Sequence, residues 1–237
     1  MELHAILSAR RAYEFGADDI RLTTLCHREV VTYLMHRYSF EAGDIATPPE
    51  TFGPVPPTFP AGLALATGSF DRGELGATNI RMVTVEARRI VIDIVGPSED
   101  IAAVFQDLNE ALSIFKTYDG SPAIGTPISV RDVSEMSFTS SGLLSSLVRP
   151  ELLQVVNKYA NHRNPDVTSA IVPLVRLRLQ DFETEYPGNT NTDPDSFVID
   201  LRGGSTLERE LLFSSAPLET SAHLDLIRDL ESALQPA

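Results

Sequence analysis

Two periodicities run through the chain. Ile90, Ile92 and Ile94 alternate with Val91, Asp93 and Val95. A period of two places alternate side chains on opposite faces, so this run predicts a strand with a buried isoleucine face and a mixed outer face. The same reasoning predicts strands over 62–70, 80–85 and 128–138, the last with an irregularity near Asp132. In the last third, Val175, Leu177 and Leu179 alternate with Arg176, Arg178 and Gln180, and Phe197, Ile199 and Leu201 follow. Gly203-Gly204 supplies a hairpin turn into a return strand over about 207–214.

The second period is near 3.6. Ile101, Val104, Phe105, Leu108, Leu112 and Phe115 form one stripe, which predicts a helix over 98–116. Ser98 is its expected N-cap, and Glu99 and Asp100 suit the positive end of the helix dipole. Further helices are expected over 141–161, broken at Pro150, and over 218–234, burying Leu224, Ile227, Leu230 and Leu234. Val30, Val31, Leu34, Met35 and Tyr38 predict a helix after a short N-terminal strand.

Pro48, Pro49, Pro54, Pro56, Pro57 and Pro60 remove backbone donors and fix φ, so 48–60 reads as an extended connection. The chain therefore divides into an N-terminal strand and helix segment (1–47), this connection, and an α+β body (61–237). The expected fold is a mainly antiparallel sheet with helices packed on one face. Gln106-Asp107-Leu108-Asn109-Glu110-Ala111-Leu112 resembles Arg228-Asp229-Leu230-Glu231-Ser232-Ala233-Leu234. Each ends an amphipathic helix that follows a strand and a proline. The body thus reads as two strand–strand–strand–helix modules, about 61–116 and 168–235. Asp, Leu and Ala are common, so the match also fits two unrelated amphipathic helices.

Composition narrows the function classes. With 43% hydrophobic and 22% charged residues over 237 positions, the chain has the composition of a globular protein. Its net charge is −14, and Lys116 and Lys158 are its two lysines. Arg10-Arg11 and Arg88-Arg89 are isolated pairs, so no clustered cations favour nucleic acid or an anionic membrane. Residues 1–11 lack the apolar run of a secretory signal, and no run approaches the roughly 20 apolar residues of a membrane span. A cytoplasmic location is expected. Cys26 is the single cysteine, so no internal disulfide can form.

Motifs for common chemistries are missing. Neither lysine follows a glycine, which excludes a Walker-type phosphate loop. Ser113-Ile114-Phe115-Lys116 matches S-x-x-K without its companion motifs. Cys26-His27 are adjacent, and a buried small thiol beside a partly exposed histidine is the plainer reading. Asn189, Asn191, Asp193 and Asp195 alternate oxygen donors that could wrap a hard cation, but Pro194 replaces the glycine of a calcium loop. Pro54, Pro57 and Pro60 recur on one edge of a polyproline helix, a weak interaction motif without a basic neighbour. No cofactor is expected.

Three functions remain in order of preference. The first is a non-enzymatic interaction, assembly or regulatory protein that binds a protein partner or itself as a homo-oligomer. It predicts an exposed apolar patch. The second is a hydrolase with carboxylates dispersed over strands, drawn from Asp93, Asp132, Asp181 and Asp200. The third is a small-ligand domain with an apolar pocket between sheet and helices.

Overall fold

The computed structural model describes residues 1–46, 60–118, 120–140, 142–147, 174–178, 196–202 and 210–234. It contains a mainly antiparallel nine-stranded sheet with a few helices, an α+β architecture. The chain divides into two compact units, residues 8–133 and residues 1–7 with 134–237. Strands β1 (Glu2–Glu14) and β6 (Ser129–Ser140) contribute residues to both.

In the unit of residues 8–133, β1 leads into α1 (Leu22–Leu25) and α2 (Arg28–Arg37). Then come β2 (Ala42–Ala46), β3 (Gly62–Asp71), β4 (Ala77–Glu86), β5 (Arg89–Val95) and α3 (Glu99–Leu112). The strands lie in the order β2-β3-β4-β5-β1, antiparallel throughout. The isoleucine face of β5 is buried, as the alternation requires, and its core includes Leu63, Leu65, Val83 and Val85. Ile101, Val104, Leu108 and Leu112 of α3 belong to the same core, and the Phe105 ring stacks on Tyr13 of β1 at 3.8 Å.

Ser98 occupies the N-cap position of α3 but makes no side-chain capping bond, because its own backbone is already helical. The strand β3 breaks register at Thr67, whose φ is 52°, opposite the irregularity between Ile80 and Met82. At the next residue the chain needs glycine. A Cβ on Gly68 would lie 2.5 Å from the Phe40 ring and 2.9 Å from the Tyr38 carbonyl oxygen. That closeness lets the turn after α2 dock on β3, where Ser69 N–H donates to the Tyr38 carbonyl at 2.7 Å.

The other unit contains β6, α4 (Leu143–Ser146), β7 (Leu174–Arg178), β8 (Ser196–Leu201), β9 (Glu210–Ala216) and α5 (Thr220–Leu234). Its strands run β6-β9-β8-β7, also antiparallel. Met136, Phe138, Phe197, Ile199, Leu212 and Ile227 are fully or nearly buried in one core. The expected burial of α5 is corrected in detail. His223 and Ile227 are buried, while Leu224, Leu230 and Leu234 pack only partly against the core. Most of the expected helix over 141–161 lies outside the described residues, as do Gly203-Gly204. Among the described residues no helix is long and apolar enough to cross a membrane.

Candidate functional site

The dispersed carboxylates are held apart by the sheet. Arg10 and Arg11 are neighbours in β1, so their side chains leave opposite faces. Arg10 donates to Asp93 through Nε at 3.2 Å and Nη2 at 2.7 Å, both to Oδ2. Arg11 donates through Nε to Asp132 at 2.6 Å, and both side chains are about nine-tenths buried. Each arginine therefore draws its aspartate to a different face. Asp93 and Asp132 do not converge, and each has a guanidinium for a partner. Asp200 sits half-buried in β8, and Asp181 lies outside the described residues. Among the described residues no three His, Cys, Asp or Glu side chains group so as to hold a metal ion.

The remaining candidates from the sequence separate just as clearly. Cys26 is buried, with Sγ 3.6 Å from the Gly62 carbonyl, and burial pushes its thiol up. His27 is exposed on the next residue. A thiol made less acidic is a poorer nucleophile. Ser113 donates to the Glu110 carbonyl at 2.7 Å and so closes the end of α3. Asn189, Asn191, Asp193 and Asp195 lie outside the described residues, with Pro54 and Pro57. Pro60 is half-buried just before β3.

A buried network in α5 carries no sequence motif. His223 and the hydroxyls of Ser134 and Ser214 are inaccessible to solvent. Ser214 Oγ donates its proton to the Val198 carbonyl at 3.0 Å. Its oxygen, 2.8 Å from His223 Nε2, must then accept from Nε2–H. Nδ1 is left to accept from Ser134 Oγ at 2.9 Å. Burial lowers His223 to about 4, against a smaller opposing pull from the Ser134 backbone. The imidazole is neutral, fully bonded and sealed. It ties α5 to β6 and β9.

Within residues 8–133 two cavities differ sharply. One is an enclosed void of about 10 Å³ among Leu25, Leu34, Leu65, Val83 and Leu108, room for no more than about one water. The other is an open groove of about 670 Å³ between the α1–α2 corner and the segment after α3. One wall carries Arg21, Thr24, His27 and Glu29; the other carries Ile114, Lys116 and Tyr118. Ile114 is 63% exposed, and Tyr118 is fully exposed.

The walls are fixed from beneath. Arg21 N–H donates to the Ala123 carbonyl at 3.0 Å, and Ile20 bridges Ile124, both buried in the core. A tight turn holds the far wall: Gly120 N–H donates to the Thr117 carbonyl at 2.9 Å, with Gly120 at φ +82°. Lys116 pairs with Pro122 in an isolated bridge. Asp107 of α3 accepts from Arg37 at 2.6 and 3.0 Å and from Tyr38 Oη at 2.5 Å. Arg37 holds the Asp107 carboxyl below its ordinary value. This clamp joins α2 to α3.

No protein-family model matches the chain, and no curated protein matches it either. The groove itself therefore has to carry the functional reading. The side chains of Lys116 and His27 have no hydrogen-bond or ion-pair partner among the described residues. Arg21 reaches only Asp18, at 3.8 Å, and that carboxylate is 89% exposed. The groove thus presents cationic and hydrogen-bonding groups beside bare apolar side chains. Sequence reasoning missed it because its two walls are about 90 residues apart and carry no local motif.

Proposed function

We propose that the protein is a non-enzymatic interaction protein, and that this groove is its docking surface. The observation that carries the reading is the exposure of Ile114 and Tyr118 on either side of Lys116, which pairs with Pro122 through an isolated bridge. Covering apolar surface is worth roughly 25 cal/mol per Å², so bare aromatic and aliphatic groups favour association. The groove is too open to enclose a small molecule, which ordinarily loses most of its surface on binding. The hydrolase reading loses support from the pairing of Asp93 and Asp132 with arginines on opposite faces.

We also infer that the chain is built from two copies of one module. Among the described residues, the spans of about 61–116 and 168–235 each carry three strands in succession and a closing helix, β3-β4-β5-α3 and β7-β8-β9-α5. In both, the third of these strands pairs with the strand that precedes the unit's helical segment: β5 with β1, and β9 with β6. The similar helix ends at 106–112 and 228–234 fit this reading. An experimental structure in which the two modules fail to superpose strand for strand would remove it.

The docking reading is tested with a photo-crosslinking residue at position 118, irradiated in intact cells that express the protein. A discrete adduct that disappears in Ile114→Ser is expected. Light scattering on the purified protein, from dilute to concentrated, tells self-association from a foreign partner. A strict monomer that gives no adduct would sink the reading.

A further inference from the structure

We infer that the occupant of the groove is an acidic polypeptide segment carrying one apolar anchor residue. The inference rests on the docking reading and adds the partner's chemistry. On a chain of net charge −14, Arg21 and Lys116 both line the groove, with Glu29 the single carboxylate among its lining residues. The lining is therefore net positive on a negative protein. Neither cation is neutralised by a close, buried carboxylate: among the described residues Lys116 has no partner and Arg21 only the loose Asp18 contact. A partner's Asp or Glu can use both. His27 and Thr24 add hydrogen-bonding groups on the same wall.

The apolar requirement is separate. Tyr118 and Ile114 bracket Lys116 at alternate positions of one segment. A residue such as Phe or Leu laid between them would cover surface now facing water, while flanking carboxylates reach Lys116 and Arg21. Tyrosine and arginine, both present in this lining, are enriched in binding hot spots. A purely acidic chain would leave Tyr118 bare. A purely apolar one would leave the cations stranded, which costs binding free energy. The long-range field of the protein opposes any anion, so the attraction must be local. Screening at physiological salt, over about 8 Å, removes the distant repulsion before it removes contact pairs.

The test uses the full-length protein and immobilised eight-residue peptides. One set carries three Asp or Glu around a central Phe or Leu. The second replaces the acids with Lys or Arg, and the third replaces the anchor with Ser. Binding to the first set alone is expected. Lys116→Glu and Arg21→Glu should each weaken it about tenfold, and Tyr118→Ser by a similar factor. All three positions are solvent-facing, so circular dichroism should match the parent. Preference for the basic set, or indifference to Lys116→Glu, would overturn the inference. If peptides fail but the position-118 adduct is a second copy of the chain, the docking reading survives and the acidic-segment inference falls. If no adduct forms at all, both fall.

Discussion

Replacing His223 by glutamine tests the buried network and gives a quantity that can be worked out beforehand. Glutamine keeps one donor and one acceptor but does not titrate. In the unfolded chain the imidazole takes up a proton below 6.5, whereas in the folded protein burial postpones this to about 4. Between those values the unfolded state holds more protons, so stability falls as pH falls. The penalty starts near pH 6.5, grows until about pH 4 and is constant below it. A difference of this size amounts to about 3 kcal/mol at roughly 1.4 kcal/mol per pH unit. At pH 7 the penalty is absent, and the variant should be weaker by about 1–2 kcal/mol through poorer bonds to Ser134 and Ser214. Toward pH 4 the gap should close and then reverse, because the parent alone loses the His223 contribution. Carboxylates also titrate here, but equally in both proteins, so they cancel in the difference. Urea unfolding at pH 7.0, 5.5 and 4.5 measures it. Parallel curves for parent and variant would refute the argument, as would an imidazole NMR signal titrating near 6.5.

Arg11→Met alone should cost about 3–5 kcal/mol in urea unfolding, because Asp132 is left buried without its cation; Arg11→Met with Asp132→Leu should recover most of the loss. Gly68→Ala should cost at least about 2 kcal/mol, since the added Cβ meets both the Phe40 ring and the Tyr38 carbonyl. Gly73→Ala, with φ +64° but open space around it, should cost only about 1 kcal/mol, so thermal melts of the pair separate close packing from backbone strain. Asp107→Asn should lower stability by about 1 kcal/mol at pH 7 through loss of the Arg37 pair. Asp107 has a lowered folded value, so that difference should persist above about pH 4 and vanish as acid protonates the carboxyl.

Period-two and period-3.6 patterns survive where one face of an element meets a core and the other meets water. That is why Ile90, Ile92 and Ile94 and the stripe of α3 were legible, and with them the antiparallel α+β class. The pattern fails where a polar residue is buried with its partner. Arg10 and Arg11 read as a cationic pair on a short N-terminal strand. In the fold β1 is 13 residues long, and each arginine meets an aspartate 83 or 121 residues away. His223 reads as a break in the apolar face of α5. Its two serines, 89 and 9 residues distant, make it part of that face. In both cases the partner that offsets the cost of burial is supplied by topology, which no local window contains. The groove follows the same rule in reverse. Periodicity places Phe115 in the α3 stripe and extends the helix to 116, with Ile114 off that stripe. The helix stops at Leu112, so Phe115 turns in against Tyr33 while Ile114 and Tyr118 turn out. Apolar residues off the helical stripe, Ile114 and Tyr118 on either side of Lys116, are thus the sequence-level trace of this site, while its other wall, residues 21–30, is supplied by topology that no local window contains.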